Sequence, residues 1–284
     1  MDGVAQGGGW GVHAAASPVV AAIDAAQHLH GLHAAGTVPS TQDVARELAA
    51  SGAPGGTVVI ADRQTAGRGR RGRPWDDDPS GGSLALTVLL DVPTDHVLQL
   101  HLLPHALGLA VVDAVAVDDA PARRPVLKWP NDVVVVRDPP LPASKLAGIL
   151  VERERVPGGV EGEAREVLLC GVGVNVDLGR SPADRTDVAT LHGAAPDRAA
   201  LLVALITSLD RALGQLAATP GELLDRYRQA CATIGREVTV VLAGDERLHG
   251  TAVGIDEDGR LLVSDGARIH AILSGTVRDR EQHG

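Results

Sequence analysis

Val126-Leu127-Lys128-Trp129-Pro130-Asn131-Asp132-Val133-Val134-Val135-Val136 is an apolar run, a polar turn fixed by a proline, and a second apolar run. It predicts two short strands, near Val126–Trp129 and Val133–Val136, because β-branched residues fit a pleated surface and proline cannot continue a ladder. Two longer strands are expected downstream, at Lys145–Glu152 and Glu166–Val176, and two upstream, at Gly56–Ala61 and Leu84–Leu90. Helical periodicity surrounds them. Ser17-Pro18 opens a pattern through Val19, Val20, Ile23, Ala26, Leu29 and Leu32 that closes at Gly36, which predicts one helix with proline in its first turn. Ser40-Thr41-Gln42-Asp43 has the spacing of a capping box and starts a second helix, ending at Gly52. His96–Val117 reads as a long helix interrupted at Pro104, and 196–217 and 220–232 as two more. Such an order predicts a mixed sheet with helices packed on it.

After Ile234 the pattern changes. Val238–Leu242, Leu248–Ile255, Leu261–Ser264 and Ile269–Leu273 are short strands divided by Gly244-Asp245, Asp258-Gly259 and Asp265-Gly266 turns, so a small all-β module is expected. Residues 1 to about 16 are Gly- and Ala-rich without periodicity and read as a flexible tail, on which Trp10 is the one candidate for docking. Phenylalanine is absent and aromatics make up 1%, so the core must be built from Leu, Val, Ile and Ala. A net charge of -10 weighs against general nucleic-acid binding, which needs many phosphate-neutralising cations. Cys170 and Cys231 have no metal or disulfide spacing, no signal peptide is evident, and a cytoplasmic location is expected. No apolar run reaches the roughly 18 to 20 residues of a membrane span, since Val97–Val117 carries His101, Pro104, His105 and Asp113.

Scarcity singles out the chemistry. The chain has 24 arginines but two lysines, Lys128 and Lys145, and two asparagines, Asn131 and Asn175. A chain that has drifted to arginine keeps lysine where a compact ammonium cannot be replaced by a planar guanidinium. Lys128 and Asn131 flank the turn quoted above, Lys145 opens Lys145-Leu146-Ala147-Gly148-Ile149-Leu150, and Asn175 closes Gly171-Val172-Gly173-Val174-Asn175. A further segment, Gly67-Arg68-Gly69-Arg70-Arg71-Gly72-Arg73-Pro74-Trp75, is a cationic glycine loop. Its guanidiniums can pair with phosphate or carboxylate oxygens, and its glycines permit close backbone approach. Taken alone it suits an anionic small molecule, a nucleic-acid contact or a solvated basic turn. Trp75 adds a surface on which a purine could stack. The loop is not a P-loop, because neither lysine stands in that motif.

In this order the Gly-Arg-rich loop, Lys128-Trp129-Pro130-Asn131-Asp132, Lys145–Glu152 and Gly171–Asn175 resemble the biotin protein ligases, from about Ser40 to Arg278. The resemblance implies an α+β fold. A mixed-sheet catalytic domain would occupy residues 37–232, a small SH3-like β-barrel residues 233–284, and a tail with one helix residues 1–36. It also implies a reaction in which biotin and ATP form biotinyl-5′-AMP and pyrophosphate, and biotin then passes to one lysine of a carboxylase's biotin carboxyl carrier domain. Ser40, Thr41 and Gln64 would meet the biotin ring; the family's usual Asn is Gln42 here, which leaves that position without an assigned role. Arg68, Arg70 and Arg71 would cover the adenylate, Arg68 and Arg70 would also reach biotin, with Arg70 the catalytic contact to its carboxylate and the phosphate, and Trp75 would stack on adenine. Lys145 would bridge the biotin carboxyl and α-phosphate. Lys128, Asn131 and Asn175 would orient the nucleotide. Asp132 would approach Mg²⁺ indirectly, with no direct protein ligand for the metal, and would help deprotonate the acceptor lysine. The expected type lacks a DNA-binding domain, because the 39 residues before Ser40 hold one helix and no basic recognition stretch. The rival functions are a lipoate or octanoate ligase, a biotin-responsive repressor, and a nucleotide-binding module without catalysis.

Overall fold

The structure, a computed structural model, describes residues 12–75, 82–92, 97–116, 124–136, 143–157, 164–179 and 184–279. Trp10 and most of the expected tail lie outside these residues. Helix α1 spans Val12–Asp24 and strand β1 Gly31–Val38. Helix α2 (Thr41–Ala50) and strands β2 (Thr57–Gln64) and β3 (Ser83–Asp91) follow, then helix α3 (Leu103–Ala114). Strands β4 (Pro125–Lys128), β5 (Asp132–Val135), β6 (Ser144–Pro157) and β7 (Ala164–Asn175) complete one sheet. Its order is β1-β2-β3-β7-β6-β5-β4, with β1 parallel to β2 and every other pair antiparallel. The opening stretch of the sequence is the β4–β5 edge of this sheet, and its Trp129–Pro130 bond is cis.

Side chains alternate between two faces. Val58, Ile60, Leu84, Leu86, Val88, Cys170, Val172 and Val174 point into the large core with α1, α3 and the helices α4 (Val188–His192), α5 (Arg198–Ala218) and α6 (Pro220–Ala230). Val59, Leu89, Val167 and Leu169 point the other way, onto Ala45 and Ala49 of α2. Ser40 caps that helix by accepting the Gln42 N–H at 3.2 Å. Helix α5 is long and apolar enough to cross a membrane, but half of its apolar window is buried in the molecule, against α1, α3 and α6.

Three expectations need correction. The first helix does not run from Ser17 to Gly36: it spans Val12–Asp24 with Pro18 inside it, and Gly31–Val38 is a sheet strand that crosses the expected boundary at residue 36. Asp210 of α5 accepts the Gln27 and His28 N–H groups at 3.0 and 2.7 Å, and His30 N–H donates to Gly56 O, so tertiary partners end the helix that periodicity would continue. His96–Val117 is not one helix. Val97–Leu102 is a 3₁₀ turn and Pro104 sits in the first turn of α3, where its missing N–H costs nothing. The C-terminal module has a fifth strand.

That module comprises β8 (Glu237–Val241), β9 (Arg247–Ile255), β10 (Leu261–Ser264), β11 (Ile269–Ile272) and β12 (Thr276–Asp279), an antiparallel sheet in the order β11-β10-β9-β8-β12. Its buried Val238, Val240, Ala252, Leu261 and Val263 are continuous with the main core. Trp129 joins the two parts. It is 2% exposed, its Nε1 donates to Gly259 O at 3.0 Å, and its N–H donates to Thr233 Oγ1 at 3.1 Å.

Candidate active site

On the α2 face, odd-numbered residues of β7 read Val167, Leu169, Gly171, Gly173, Asn175. The first two fill the space beneath α2. The glycines leave a hollow, enlarged by Ala85 on β3 and by Gly148, which pairs with Gly173 across β6 and β7. This cleft holds about 460 Å³ of open space up to its mouth. The Trp75 ring lies on the glycine floor: a β-carbon at Gly173 would meet it at 2.7 Å, and one at Gly148 at 3.1 Å. Close approach of an aromatic ring to backbone is therefore why glycine stands at both positions.

One wall is a buried hydroxyl chain. Thr87 Oγ1 donates to Thr41 Oγ1 at 2.9 Å, and both the hydroxyl and the N–H of Thr41 donate to Gln64 Oε1, at 3.1 and 2.8 Å. Gln42 stands beside it, 3% exposed, with Nε2 donating to Leu150 O at 3.1 Å and Oε1 without a partner.

The charged mouth is formed by Lys145 and Asp132, whose Nζ and Oδ1 are 2.7 Å apart. Lys145 Nζ also stands 5.5 Å from the Trp75 ring centre. Asn131 donates from Nδ2 to Ile149 O at 2.8 Å and accepts from Arg70 at 3.0 Å, so the β4–β5 turn is tied to β6 and to the loop. Arg70 also donates to Ser274 Oγ at 2.7 Å, and Arg71, at φ 58°, donates to Val241 O and Thr276 Oγ1 at 3.2 Å each. Burial, with Arg71 next to it, lowers the pKa of Arg70; a guanidinium stays charged regardless. The loop tip thus rests on the C-terminal module.

At its start the loop is fastened to α2 and β6. Arg68 Nη1 reaches both carboxylate oxygens of Asp43, at 2.7 and 2.8 Å, and Nη2 is 3.4 Å from Glu152. Arg46 joins the same carboxylates and Glu154. Partial burial raises the Asp43 carboxyl, but hydrogen bonds from Arg68 and Arg46 outweigh it and the net shift is downward. A folded-state pKa below the unfolded one stabilises above that range and is lost as pH falls through it, so this clip is unaffected near neutrality.

The candidates from sequence gather here, though some have other occupations. Ser40, Thr41, Gln64, Arg68, Arg70, Trp75, Asn131 and Lys145 line the cleft. Lys128, Arg71 and Asp132 line an adjoining hollow with Arg70, Trp75 and Lys145. Asn175 is 2% exposed and gives its amide hydrogens to the Lys145 and Thr186 carbonyls at 3.1 and 3.0 Å, which positions the Lys145 backbone. Arg68 lines the cleft while its head group is held by Asp43. Composition did not point to Asp43, Glu152 or Ser274; the alternate glycines of β7 were a signal that period-two reading could have used. A second hollow, about 650 Å³ of space counted out into open solvent, lies between α3, the Trp129-Pro130-Asn131 turn and the C-terminal module, and shares Arg70, Asn131 and Ile149 with the cleft.

Residues 35–175 match the sequence model of the biotin/lipoate A/B protein ligase family, and residues 233–278 that of the biotin protein ligase C-terminal domain. The biotin–[acetyl-CoA-carboxylase] ligase of Mycobacterium tuberculosis is 37% identical over 236 residues, covering 81% of each chain. The chain belongs to the biotin protein ligase family. Another biotin protein ligase relative, the bifunctional ligase/repressor BirA of Bacillus subtilis, is 32% identical over 84% of this chain and 70% of its own. Among solved structures, the Aquifex aeolicus biotin protein ligase in complex with biotin and ATP superposes with a TM-score of 0.69, at 29% identity over 88% of this chain and 99% of its own. The Leishmania major biotin protein ligase with biotinyl-5-AMP gives 0.57, at 25% identity over 88% and 98%.

Proposed function

We propose that this protein is an ATP-dependent biotin–[biotin carboxyl-carrier protein] ligase: it condenses biotin with ATP to biotinyl-5′-AMP and pyrophosphate, then transfers biotin to a carrier-domain lysine. The observation that carries this reading is the position of Lys145, beside Asp132 and Trp75 in a glycine-floored cleft whose walls Arg70 and Asn131 share with the adjoining hollow. The two ligands would lie in adjoining hollows, with the reacting groups meeting at Lys145 and Arg70. Biotin takes the glycine-floored cleft, its ring facing Thr41 and Gln64. The nucleotide takes the adjoining hollow that Trp75 lines with Lys128 and Asp132, its base stacked on Trp75.

Biotin's carboxylate is ionised at neutral pH and is itself the nucleophile, so adenylation needs no general base. It needs two anions held together. Lys145 and Arg70 offset their repulsion and stabilise charge developing on the α-phosphoryl oxygens as pyrophosphate leaves. The resulting mixed anhydride is sensitive to water, and the loop from Arg68 to Trp75 covers it. In the second step the amine of the carrier lysine attacks the acyl carbon and AMP leaves. Its ammonium form, with a reference pKa of about 10.4, must first lose a proton, and Asp132 is the nearby carboxylate for that task. Among the described residues no three metal-ligating side chains cluster, and Asp132 is held by Lys145. These residues do not form a protein cage for Mg²⁺, and that ion would be carried by the phosphates of ATP.

The partner is a biotin carboxyl carrier domain of an acyl-CoA carboxylase, a nucleic acid is not, and the location is the cytoplasm. A net charge of -10 and the buried free thiols of Cys170 and Cys231 support these readings. The match of the C-terminal module supports biotin over lipoate. Biotin-dependent exchange of pyrophosphate into ATP, followed by labelling of a carrier-domain lysine, is the expected result. Exchange that answers to lipoate and not to biotin would overturn it. Gly173→Val should weaken biotin binding about 10- to 100-fold, the size of an overpacking penalty, because the new side chain collides with Trp75 on the cleft floor. Isothermal titration with biotin checks this, and an unchanged affinity would place biotin elsewhere.

A further inference from the structure

The resemblance gives Arg68 a ligand, whereas the fold gives it a carboxylate. Its Nη1 lies 2.7 and 2.8 Å from the two oxygens of Asp43, in the first turn of α2, and its Nη2 lies 3.4 Å from Glu152 on β6. Arg46, three residues after Asp43, closes the cluster by reaching Asp43 at 2.6 Å, Glu152 at 3.4 Å and Glu154 at 2.9 Å. Two guanidiniums and three carboxylates thus fasten α2, β6 and the start of the loop to one another. Asp43 accepts from both arginines, one borne by the helix and one by the loop. Asp43, Arg46, Glu152 and Glu154 take no part in the walls of the cleft or of the two hollows beside it, so the cluster stands outside the reacting centre.

The fastening reaches past Arg68 because the loop closes on itself as a hairpin. Gly69 N–H donates to Arg73 O at 2.7 Å, Trp75 N–H donates to Gly67 O at 2.8 Å, and Arg68 pairs with Pro74 between them. Holding Arg68 therefore holds the opposite limb, and with it the Trp75 ring on the floor made by Gly148 and Gly173. The tip is fastened separately, through Arg70 and Arg71 to the C-terminal module. We propose that Asp43 is a positioning residue: by holding the Arg68 guanidinium it fixes the base of the loop and the Trp75 ring, and so prolongs retention of biotinyl-5′-AMP without touching it. This rests on the adenylation reading above and turns Arg68 from a ligand contact into an anchor. An ion pair whose members are each one-third exposed adds little to the stability of the whole chain. The same contact weighs more on a surface loop, whose open and closed states differ by only a few contacts.

The test forms biotinyl-5′-AMP on the full chain from biotin and ATP and follows its escape after dilution, beside the kcat of pyrophosphate exchange. Asp43→Asn keeps the size of the side chain and removes the charge that holds Arg68. It should speed escape about three- to fivefold, the upper range for losing a partly exposed ion pair, with kcat changed less than about twofold. Asp43→Glu, which keeps the charge, should release the adenylate within about twofold of the wild-type rate. Arg46→Gln loosens the same cluster but leaves the Arg68–Asp43 pair in place, and it should also stay within about twofold. Asp43→Asn combined with Arg68→Gln should release no faster than Arg68→Gln alone, because the two side chains make one contact. Wild-type escape from Asp43→Asn, or equal acceleration by Arg46→Gln, would overturn the proposal. Additive effects in the double variant would overturn it too and return Arg68 to the ligand. Thermal unfolding curves check that each variant is folded, and Asp43→Ser takes the place of Asp43→Asn if that one is not. Wild-type protein that forms no adenylate from biotin and ATP would sink the adenylation reading itself, a result distinct from all of these.

Discussion

Replacing Lys145 with alanine is expected to lower biotin-dependent pyrophosphate exchange by roughly 10²- to 10³-fold, the usual effect of removing one preorganised electrostatic contact from a transition state. The reason lies in what the substitution leaves behind. Asp132, now 2.7 Å from an ammonium, would face the incoming carboxylate and phosphate without it, so a repulsive charge replaces an attractive one. Stability should change little, because the two side chains are 36% and 30% exposed and such pairs contribute at most about 1 kcal/mol. Lys145→Arg is not expected to restore activity: a planar fork cannot occupy the position of a compact ammonium between Trp75 and Asp132. Exchange kinetics with a thermal unfolding curve measure both parts. Near wild-type exchange by Lys145→Ala would remove the residue from the reacting centre.

Arg70→Gly should act on retention of the intermediate. Its guanidinium joins Asn131 at 3.0 Å to Ser274 at 2.7 Å, so one side chain links the β4–β5 turn, the loop and the C-terminal module. Glycine removes both contacts and adds backbone freedom beside Arg71 and Gly72, which already have positive φ. The loop would remain fastened at Arg68 to Asp43 and lose its grip over the cleft. Biotinyl-5′-AMP should then form and escape, and the ATP consumed per carrier lysine labelled should rise about tenfold or more, as expected from two charge-assisted hydrogen bonds. Quantifying AMP against biotinylated carrier tests this. An unchanged ratio would mean that Arg70 does not retain the adenylate.

How much of this could be read beforehand depends on which interactions are local. Lys145 and Asn131 stood out because each belongs to a scarce type, and both lie at the cleft. Asn175 was found by the same signal, yet its amide hydrogens serve the carbonyls of Lys145 and Thr186. Arg68 was legible as a loop cation, but its partners Asp43 and Glu152 come from α2 and β6. His105 reads only as a polar interruption of an apolar run; that its ring is buried edge-on against Tyr227 depends on the packing of α3 on α6.

The sequence by itself determined the strand inventory of the sheet from β2 to β7, the change of character after Ile234, and the residues that carry charge at the cleft. Each of these rests on periodicity, turn chemistry or residue type within a short window. Tertiary structure alone decided that Gly31–Val38 is a strand, that Trp75 lies on Gly148 and Gly173, and that the loop tip rests on the C-terminal module. Those outcomes depend on partners far apart in the chain, such as Asp210 for His28 and Ser274 for Arg70, and no local pattern encodes which distant group will supply a hydrogen bond.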